Sequence, residues 1–330
     1  MLNIIGIGTA VGQTALGEAD FKQLEISGSD SLGANAFVRS GLGRDYLAKT
    51  KNSEVNSVIN ENNQSPTDLG LAAALAAIAD AGITTEQIGL VIGDCGTPWQ
   101  TCPAEGQRVA DRLGVKVPAY DLAGGGIISQ QIASLSRWRK DRVAEYALLV
   151  TTAVPTSRIN FVTGGPERFH FGDAASACVV STKHNGKLAV LDAESMFHGG
   201  GGKSFVVDQF LPLVADLEVF TDVSERLTSD AVAKAIFKNK LHGAHIVLAC
   251  GESSAGMAAR IASTHSIARF GESFTNNGYT LSSGCFLAFE QLRSIFRTGV
   301  SGSGLKAGDK IVFAQTAPGF VSGYALCEVR

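Results

Sequence analysis

Short apolar runs alternate with amphipathic segments along the whole chain, and this alternation limits the fold more than any other feature. Runs such as "IGLVIGDCG", "YALLVTTAV" and "HIVLACG" are continuously apolar and end at turn residues, as strands buried on both faces do. Between them lie segments with helical spacing. The clearest is "SPTDLGLAAALAAIADAG", with Ser65 or Thr67 as N-cap and Gly82 as C-cap. This order predicts parallel β-α-β units in an α/β layered sandwich.

The same rhythm occurs twice, which predicts two similar halves near residues 1–185 and 186–330. In the first half, "GDAASACVVS" and "GKLAVLDAESMF" are predicted to close the sheet as a pair of strands. In the second, "TSDAVAKAIFKNKL", "SSAGMAARIAST" (with a serine cap) and "GCFLAFEQLRSIFRTG" are predicted helices, followed by closing strands in "DKIVFAQTAPG" and "SGYALCEV".

Composition excludes several classes of function. Hydrophobic residues make up 45% of the 330 residues and charged residues 18%, which is typical of a well-buried globular protein. The net charge is −3 with no basic block, so nucleic acid is not an expected partner. No apolar run approaches the roughly 20 residues that span a bilayer, and the first residues lack a basic signal-peptide region. The six cysteines form no CxxC pair, which indicates reduced thiols, a cytoplasmic location and no zinc site.

Two glycine-rich stretches resemble nucleotide-binding motifs without fulfilling them. "HGGGGKS" has Phe197 where a phosphate loop needs its first glycine, so a surface loop is expected. "GIGTAVG" has Val11 where a dinucleotide-binding motif needs its third glycine, and no helix follows at once. We predict a tight turn after an edge strand at this second stretch.

Several segments in order along nearly the whole chain resemble the thiolase-fold ketoacyl synthase III family. They are "FVRSGLGRDYLA", "DLGLAAALAAIADAGITTEQIGLVIGDCGTP", "CPAEGQRVADRLGVKVPAYDLAGGG", "FHFGDAASACVVS" and "APGFVSGYALCEV". The resemblance implies a thiolase-like α-β-α-β-α sandwich built from two similar halves.

The chemistry that the resemblance implies rests on a cysteine, a histidine and an asparagine. In the family, a cysteine thiolate at a helix N-terminus takes an acyl group from a thioester. The histidine and asparagine then stabilise the enolate that forms when malonyl loses carbon dioxide. In this chain the three positions fall on Gly126, Cys250 and Tyr279, so none of the three residue types is kept.

Each replacement has a chemical consequence. Gly126 has no side chain to acylate, and Tyr279 is much bulkier than asparagine. Cys250 ends an apolar strand with no cationic neighbour in sequence, which favours an unreactive structural thiol over a nucleophile.

Fewer of the family's residues that contact coenzyme A or the carrier-protein arm are present in this chain. Arg39 matches a family arginine that meets coenzyme A or the carrier-protein arm, whereas Asn35 and Ala255 replace an aromatic and a basic residue. A coenzyme A or phosphopantetheine thioester is therefore a candidate substrate, and no permanently bound cofactor is expected. Pro318 stands in the C-terminal turn where a glycine is usual.

The resemblance also implies a dimer, formed beside the nucleophile helix, in which one loop walls the partner's tunnel. In "CGTPWQTCPAEG" we expect Trp99, Cys102 and Glu105 to cross over. The expected partner is either a second copy or a homologous ketosynthase subunit, with an acyl carrier protein as a further partner.

Three functions remain open from the sequence. The first is a catalytically degenerate subunit that supports an active homologue in fatty-acid or polyketide-type secondary metabolism. The second is a stand-alone divergent acyltransferase that moves an acyl group to a small-molecule acceptor, with Glu252 or Tyr279 assisting proton transfer. The third, least favoured, is a different thiolase-fold reaction run from Cys250.

Overall fold

The computed structural model describes residues 1–12, 14–16, 37–39, 64–100, 102–122, 127–137, 144–158, 170–200, 204–206, 214–297 and 305–330. The strands in these ranges are β1 (Asn3–Val11), β2 (Thr14–Leu16), β3 (Phe37–Arg39), β4 (Ile88–Gly93), β5 (Ala119–Asp121), β6 (Tyr146–Ala153), β7 (Ala174–Ser181), β8 (Leu188–Phe197), β9 (Phe205–Val206), β10 (Val214–Ala215), β11 (Ile246–Gly251), β12 (Arg269–Gly271), β13 (Lys310–Ala317) and β14 (Val321–Val329). The helices are α1 (Pro66–Ala81), α2 (Glu105–Leu113), α3 (Ile128–Ser136), α4 (Leu217–Lys238), α5 (Met257–Thr264), α6 (Phe274–Asn277) and α7 (Gly284–Arg297).

Ten strands form one sheet in the order β12-β11-β13-β14-β8-β1-β7-β6-β4-β5. The five strands β5-β4-β6-β7-β1 come from the first part of the chain, and β12-β11-β13-β14-β8 repeat their arrangement in the second. In each group the second strand runs parallel to its two neighbours, and the fourth runs antiparallel to the third. The predicted pairing of β7 with β8 is wrong, because β1 lies between them. The boundary between residues 185 and 186 stays a prediction.

Two helices are buried between the two groups of strands. Helix α3 packs against β6 of the first group and against β8, β13 and β14 of the second. Helix α7 packs against β11, β12 and β13 of the second group and against β1 of the first. The other long helices cover the outer faces: α1 and α2 on the first group, α4 and α5 on the second. The result is the α/β layered sandwich that the sequence predicts.

The glycines near the N-terminus belong to the middle of strand β1, so the predicted turn after an edge strand is wrong. β1 lies between β7 and β8, and helix α1 crosses it at very short range. A Cβ atom on Gly6 would lie 2.3 Å from the carbonyl oxygen of Ala77, and one on Gly8 would lie 2.3 Å from that of Ala73. Both positions therefore need glycine because helix backbone occupies the space of a side chain.

The caps of helix α1 agree with the sequence prediction, whereas the N-cap of helix α5 does not. Ser65 caps α1 by accepting a hydrogen bond from the Asp68 backbone, and Gly82 ends the helix in the left-handed conformation, as predicted. Helix α5 was predicted to have a serine cap. Its N-cap is instead Gly256, and no side chain caps it. In the described part of the chain, no helix combines the length and the apolar character that crossing a bilayer requires.

The two groups of strands meet at a short seam between β1 and β8. Their ladder consists of two residue pairs, Asn3 with Ala189 and Ile4 with Leu188. Beyond it, the carboxylate of Asp80 on α1 accepts a hydrogen bond of 3.0 Å from the backbone N–H of Ile7. The same carboxylate pairs with Lys187 Nζ at 2.6 Å and with Arg293 of α7 at 3.1 Å.

This cluster of charges at the seam shifts the titration of Asp80. Burial alone would raise the pKa of the Asp80 carboxyl, but hydrogen bonds from Lys187, the Ile7 backbone and Arg293 together hold that pKa below its ordinary value. The folded state therefore favours the ionised carboxylate. This contribution to stability is complete above the pKa of the unfolded chain, about 4, and is lost as the pH falls through the lower folded pKa.

We expect Asp80→Asn to lower the free energy of unfolding at pH 7 by about 1–3 kcal/mol, because it leaves two cations and one backbone N–H without a charged acceptor. The difference between variant and wild type should shrink as the pH falls below about 4. Denaturant unfolding at several pH values measures both effects. Asp111→Asn, at an exposed position on α2, is the matched control and should behave as wild type. A loss that is equal at pH 7 and pH 3 would show that Asp80 does not act through its charge.

Candidate active site

Cys250 is the penultimate residue of strand β11 and is fully buried. Burial raises the pKa of its thiol well above the ordinary value, and the nearby Glu252, Cys285 and Glu225 raise it further. A thiolate is the reactive form of cysteine, and a thiol that stays protonated at neutral pH is a poor nucleophile. The side chain packs in the apolar cluster between β11, β13 and the outer helices.

Glu252 follows two residues later, and its carboxylate holds backbone rather than facing an open site. Oε2 accepts hydrogen bonds from the backbone N–H groups of Ser273 at 2.7 Å and Phe274 at 2.8 Å. Oε1 accepts one from the N–H of Ala258 at 3.0 Å. Burial raises the pKa of Glu252, and these three hydrogen bonds oppose that rise. The side chain thus ties the end of β11 to the starts of α5 and α6.

Tyr279 lies at the centre of a buried group of aromatic rings. Its backbone N–H donates to the carbonyl of His170 at 2.8 Å, and its carbonyl accepts from Gly172 at 3.2 Å. The preceding Gly278 has φ of 65°, which turns the chain into this position. The rings within 6.2 Å of the Tyr279 ring, measured between centroids, are those of His170, Phe171, Phe205 and Phe220. We call these five residues the aromatic cluster.

The phenol of Tyr279 is 1% exposed and has weak polar contacts. Its oxygen lies 3.5 Å from the carbonyl oxygen of Thr316, at the outer limit of a hydrogen bond. Burial raises the pKa of the phenol well above its ordinary value, so it stays protonated at neutral pH. The aromatic ring of Tyr279 therefore fills this space. An asparagine at the same position would be smaller and could direct its amide N–H groups into it.

Gln315 of β13 occupies the space between the Cys250 strand and the Tyr279 loop. Its Nε2 donates to the carbonyl of Leu281, and its Oε1 lies 3.4 Å from the backbone N–H of Cys285. A Cβ on Gly251 would lie 2.4 Å from Cδ of Gln315, so the two residues are in direct contact. Gln315 is not among the residues predicted from the sequence. Its signal was a single amide inside the otherwise apolar run "IVFAQTA".

Gly126 lies outside the described residues, whereas the helix that follows it, α3, is described. Helix α3 begins at Ile128, with Ile127 at its N-cap and no side-chain cap. A Cβ on Gly323 of β14 would lie 2.9 Å from Ser129 Oγ and 3.1 Å from Ile127 Cδ1. The first turn of α3 thus rests directly on the backbone of β14.

The loop expected to reach a partner is fastened to its own chain. Arg158, buried to 2% exposure, donates from Nη2 to the carbonyl of Pro98 at 2.5 Å. Arg108 donates to the Gln100 side chain at 2.8 Å. Of the expected crossing residues, Trp99 is half-buried and Cys102 is exposed, so both remain at the surface of this chain.

Glu105 differs from the expectation, because it points into its own fold and is 3% exposed. Burial raises the pKa of its carboxyl, and a hydrogen bond with Thr67 of α1 partly opposes this. The start of α2 is capped by Asp121, which accepts from the N–H groups of Glu105 at 2.9 Å and Gly106 at 2.7 Å. A glutamate held between α1 and α2 has no reach toward a second subunit.

The structure gives the backbone position of Arg39. Arg39 ends β3, which pairs with β2 and packs against α6, the helix that begins at Phe274. The backbone of Arg39 is therefore on the side of the molecule where Glu252 accepts its hydrogen bond from Phe274, at the start of α6. Among the described residues, no group of three histidine, cysteine, aspartate or glutamate side chains is arranged to hold a metal ion.

Comparisons with known proteins agree with this geometry. The chain is 35% identical over 134 residues to beta-ketoacyl-[acyl-carrier-protein] synthase III of Rhodospirillum rubrum, covering 38% of this chain and 40% of that protein. It is 29% identical over 152 residues to the Staphylococcus aureus (strain Newman) protein of the same name, covering 45% and 48%. The chain thus spans less than half the length of the curated relatives it matches. No family model matches it.

A solved structure matches over the whole chain. The 3-oxoacyl-[acyl-carrier-protein] synthase III from Aquifex aeolicus VF5 superimposes with a TM-score of 0.78 at 18% identity, covering 99% of this chain and 100% of that one. This chain is similar to ketoacyl synthase III proteins over part of its sequence, and it shares their fold. The resemblance that its sequence motifs suggested is confirmed, and so is the thiolase-like fold.

Within this ketoacyl synthase III fold, Cys250 and Tyr279 are brought to the same end of the second group of strands. Gln315 contacts Gly251 and the Tyr279 loop at once, and a Cβ on Gly284 of α7 would lie 2.8 Å from the Gly251 Cα. The catalytic assignment of Gly126, Cys250 and Tyr279 rests on the sequence motifs and stays a prediction. What the structure adds is that both described positions are filled by buried, protonated side chains.

We expect Glu252→Gln to destabilise the protein by about 1–3 kcal/mol, because an amide offers one acceptor oxygen to three backbone donors and turns an N–H₂ group toward one of them. Denaturant unfolding at pH 7 measures the loss. Glu272→Gln is the matched control, since the same substitution is made at a half-buried glutamate without these contacts. Equal stability of the two variants would contradict a structural role for Glu252.

Proposed function

We propose that this chain is a catalytically degenerate ketoacyl synthase III-like subunit that supports an active homologue in an acyl-condensing or acyl-transferring complex. The observation that carries the proposal is the burial of Tyr279 in the aromatic cluster, at the position where the family motif places an asparagine. A ring in that position takes up the volume in which an enolate would form, and its phenol offers no directed hydrogen bond to it.

The other two positions support the same conclusion. Condensation needs a thiolate at the start of a helix, and Gly126 carries no side chain that a thioester can acylate. Cys250 is a buried thiol whose pKa is raised by burial and by neighbouring carboxylates, so it does not replace the missing nucleophile. Glu252, a titratable group close to Cys250, has its oxygens committed to three backbone N–H groups.

A subunit without chemistry of its own can still contribute walls to a partner's substrate tunnel. The loop that carries Trp99 and Cys102 is anchored by Arg158 and Arg108, which gives it a fixed shape. We propose that Trp99 and Cys102 make this contact and that Glu105 does not. An acyl carrier protein that delivers a phosphopantetheine thioester, or coenzyme A itself, would be the source of the acyl group.

A stand-alone acyltransferase is the second candidate, and one observation favours it. Ser322 Oγ and His198 Nε2 are 2.7 Å apart, and both line a small pocket between β14, β8 and α4. A hydroxyl within hydrogen-bonding distance of an imidazole is the arrangement that activates a serine nucleophile. Ser322 is therefore the residue at which such an activity would leave an acyl group.

We predict that the purified protein incubated with acetyl-, malonyl- or longer acyl-coenzyme A gains no covalent acyl group, as measured by intact-protein mass spectrometry. An intact ketoacyl synthase III treated in parallel is the positive control. A stoichiometric adduct would overturn the degenerate-subunit proposal, and peptide mapping would then separate the alternatives. An acyl group on Ser322 supports the stand-alone acyltransferase, and one on Cys250 supports chemistry run from that thiol.

The variant Gly126→Cys should regain little or no condensing activity, because Cys250 and Tyr279 do not supply the pair of hydrogen bonds that stabilise the enolate. Loss of one such donor alone costs about a hundredfold or more in rate. Condensation is measured as carbon dioxide release from malonyl thioester. Activity close to that of the intact control enzyme would show that the pocket at Tyr279 is functional.

Co-expression distinguishes the two candidate functions. A supporting subunit should form a heteromer when expressed with a homologue from the same genome that has an intact cysteine, histidine and asparagine, and should raise that homologue's activity. Substituting Trp99 by alanine should weaken the heteromer, whereas Lys116→Gln at an exposed site should not. A homodimer that ignores every such homologue and turns over acyl thioester alone would support the stand-alone enzyme.

A further inference from the structure

We propose that a cavity at the seam between β1 and β8 binds a small monocarboxylate with a compact apolar body. The cavity opens where the short β1–β8 ladder stops, and α7 and the end of β14 complete its walls. Its volume is about 150 Å³. Neither Cys250 nor Tyr279 lines it, so the proposal is independent of the function proposed above.

The interior of this seam cavity suits an apolar group of limited size. Ile5 and Ile7 of β1, Phe289 of α7 and Val329 of β14 form its apolar walls. A dry cavity of about this volume, lined by aliphatic and aromatic side chains, accepts a ligand the size of benzene. The expected body is therefore one six-membered ring or a chain of about five or six carbons.

The charges around the cavity select an anion. Lys187, Arg293 and Arg330 line it together with a single carboxylate, Asp80, so three cations and one carboxylate face the cavity, while Glu290 and Glu328 pair with Arg293 and Arg330 from outside its lining. Arg293 is already paired with Asp80 and with Glu290 at 3.4 Å. Lys187 and Arg330 are 55% and 50% exposed at the opening, so a bound carboxylate can reach them.

Both exposed cations keep hydrogen-bond donors for a ligand. The Lys187 ammonium has three N–H donors, and two of them are directed to the carbonyl and the carboxylate of Asp80. Arg330 pairs with Glu328 at 3.2 Å through Nη1 and donates a weak hydrogen bond to Met1 Sδ at 3.8 Å through Nη2, each of which carries a second N–H, and Glu328 does not line the cavity. A carboxylate at the opening would thus gain charge-assisted hydrogen bonds while its apolar body fills the cavity.

Binding of benzoate and hexanoate to the full chain tests the proposal, with benzamide and hexanamide as uncharged analogues of the same shape. Ligand-observed NMR and thermal unfolding at constant ionic strength measure affinity up to about 10 mM. We expect saturable binding of at least one acid, about tenfold tighter than its amide, because the charge-assisted hydrogen bonds are lost in the amide. The protein should also become more stable as the acid concentration rises.

Two variants locate the site. Val329→Phe should fill the cavity and abolish binding, and Arg330→Gln should weaken carboxylate binding about threefold while leaving amide binding unchanged. Lys116→Gln, at an exposed site away from the cavity with the same change of charge, should bind as wild type. The Arg330 side chain is half exposed, so its variant remains informative if Val329→Phe does not fold.

Three results would overturn the proposal. The first is no saturable binding of either acid, and the second is equal affinity for acid and amide. The third is binding that neither Val329→Phe nor Arg330→Gln alters. Failure of this test leaves the degenerate-subunit proposal untouched, because that proposal depends on Gly126, Cys250 and Tyr279 alone.

Discussion

The carboxylate of Asp80 joins the two groups of strands at the point where their backbone ladder stops. Two residue pairs link β1 to β8, and beyond them the N–H of Ile7 needs another acceptor. Asp80 supplies it from α1 and pairs with Lys187 and Arg293 from the second half of the chain. Helix α1 reaches this position because Gly6 and Gly8 allow it to lie directly on β1. The two glycines and the aspartate thus join the two halves at the seam, beside helices α3 and α7, which contact strands of both groups.

At the end of the second group of strands, the positions predicted from the ketoacyl synthase III motifs lie beside Glu252 and Gln315, whose polar groups bind the chain's own backbone. Glu252 satisfies three backbone donors, Gln315 links the Leu281 carbonyl to the first turn of α7, and Tyr279 completes the aromatic cluster. Burying a polar group is costly unless its hydrogen bonds are made, and Glu252 and Gln315 make theirs within the chain. A side chain whose acceptors are already used has little left to offer a substrate. This is the physical basis for proposing a supporting role.

The sequence predicted most of the secondary structure because apolar runs and helical spacing are local signals. The cap at Ser65 and the buried strand that contains Cys250 follow from a few neighbouring residues. The errors involve contacts between distant segments. "GIGTAVG" was assigned to a turn because glycine usually marks one, whereas α1 packs on it as a strand. Glu105 was expected at a partner's tunnel, whereas Thr67 and the body of α1 enclose it. The aromatic cluster and Gln315 were missed for the same reason.

By itself, the sequence determined that the chain forms two sets of alternating strands and helices and that its motifs resemble the ketoacyl synthase III pattern, and it predicts that the three reactive residue types are replaced. These conclusions depend on residue identity and on periodicity, which are fixed along the chain. Only the tertiary structure decided which polar side chains are free and which are used. Hydrogen bonds to Glu252, the rings around Tyr279 and the ion pairs of Asp80 join residues that are far apart in sequence. No local pattern encodes such contacts, because they exist only once the layers have packed against one another.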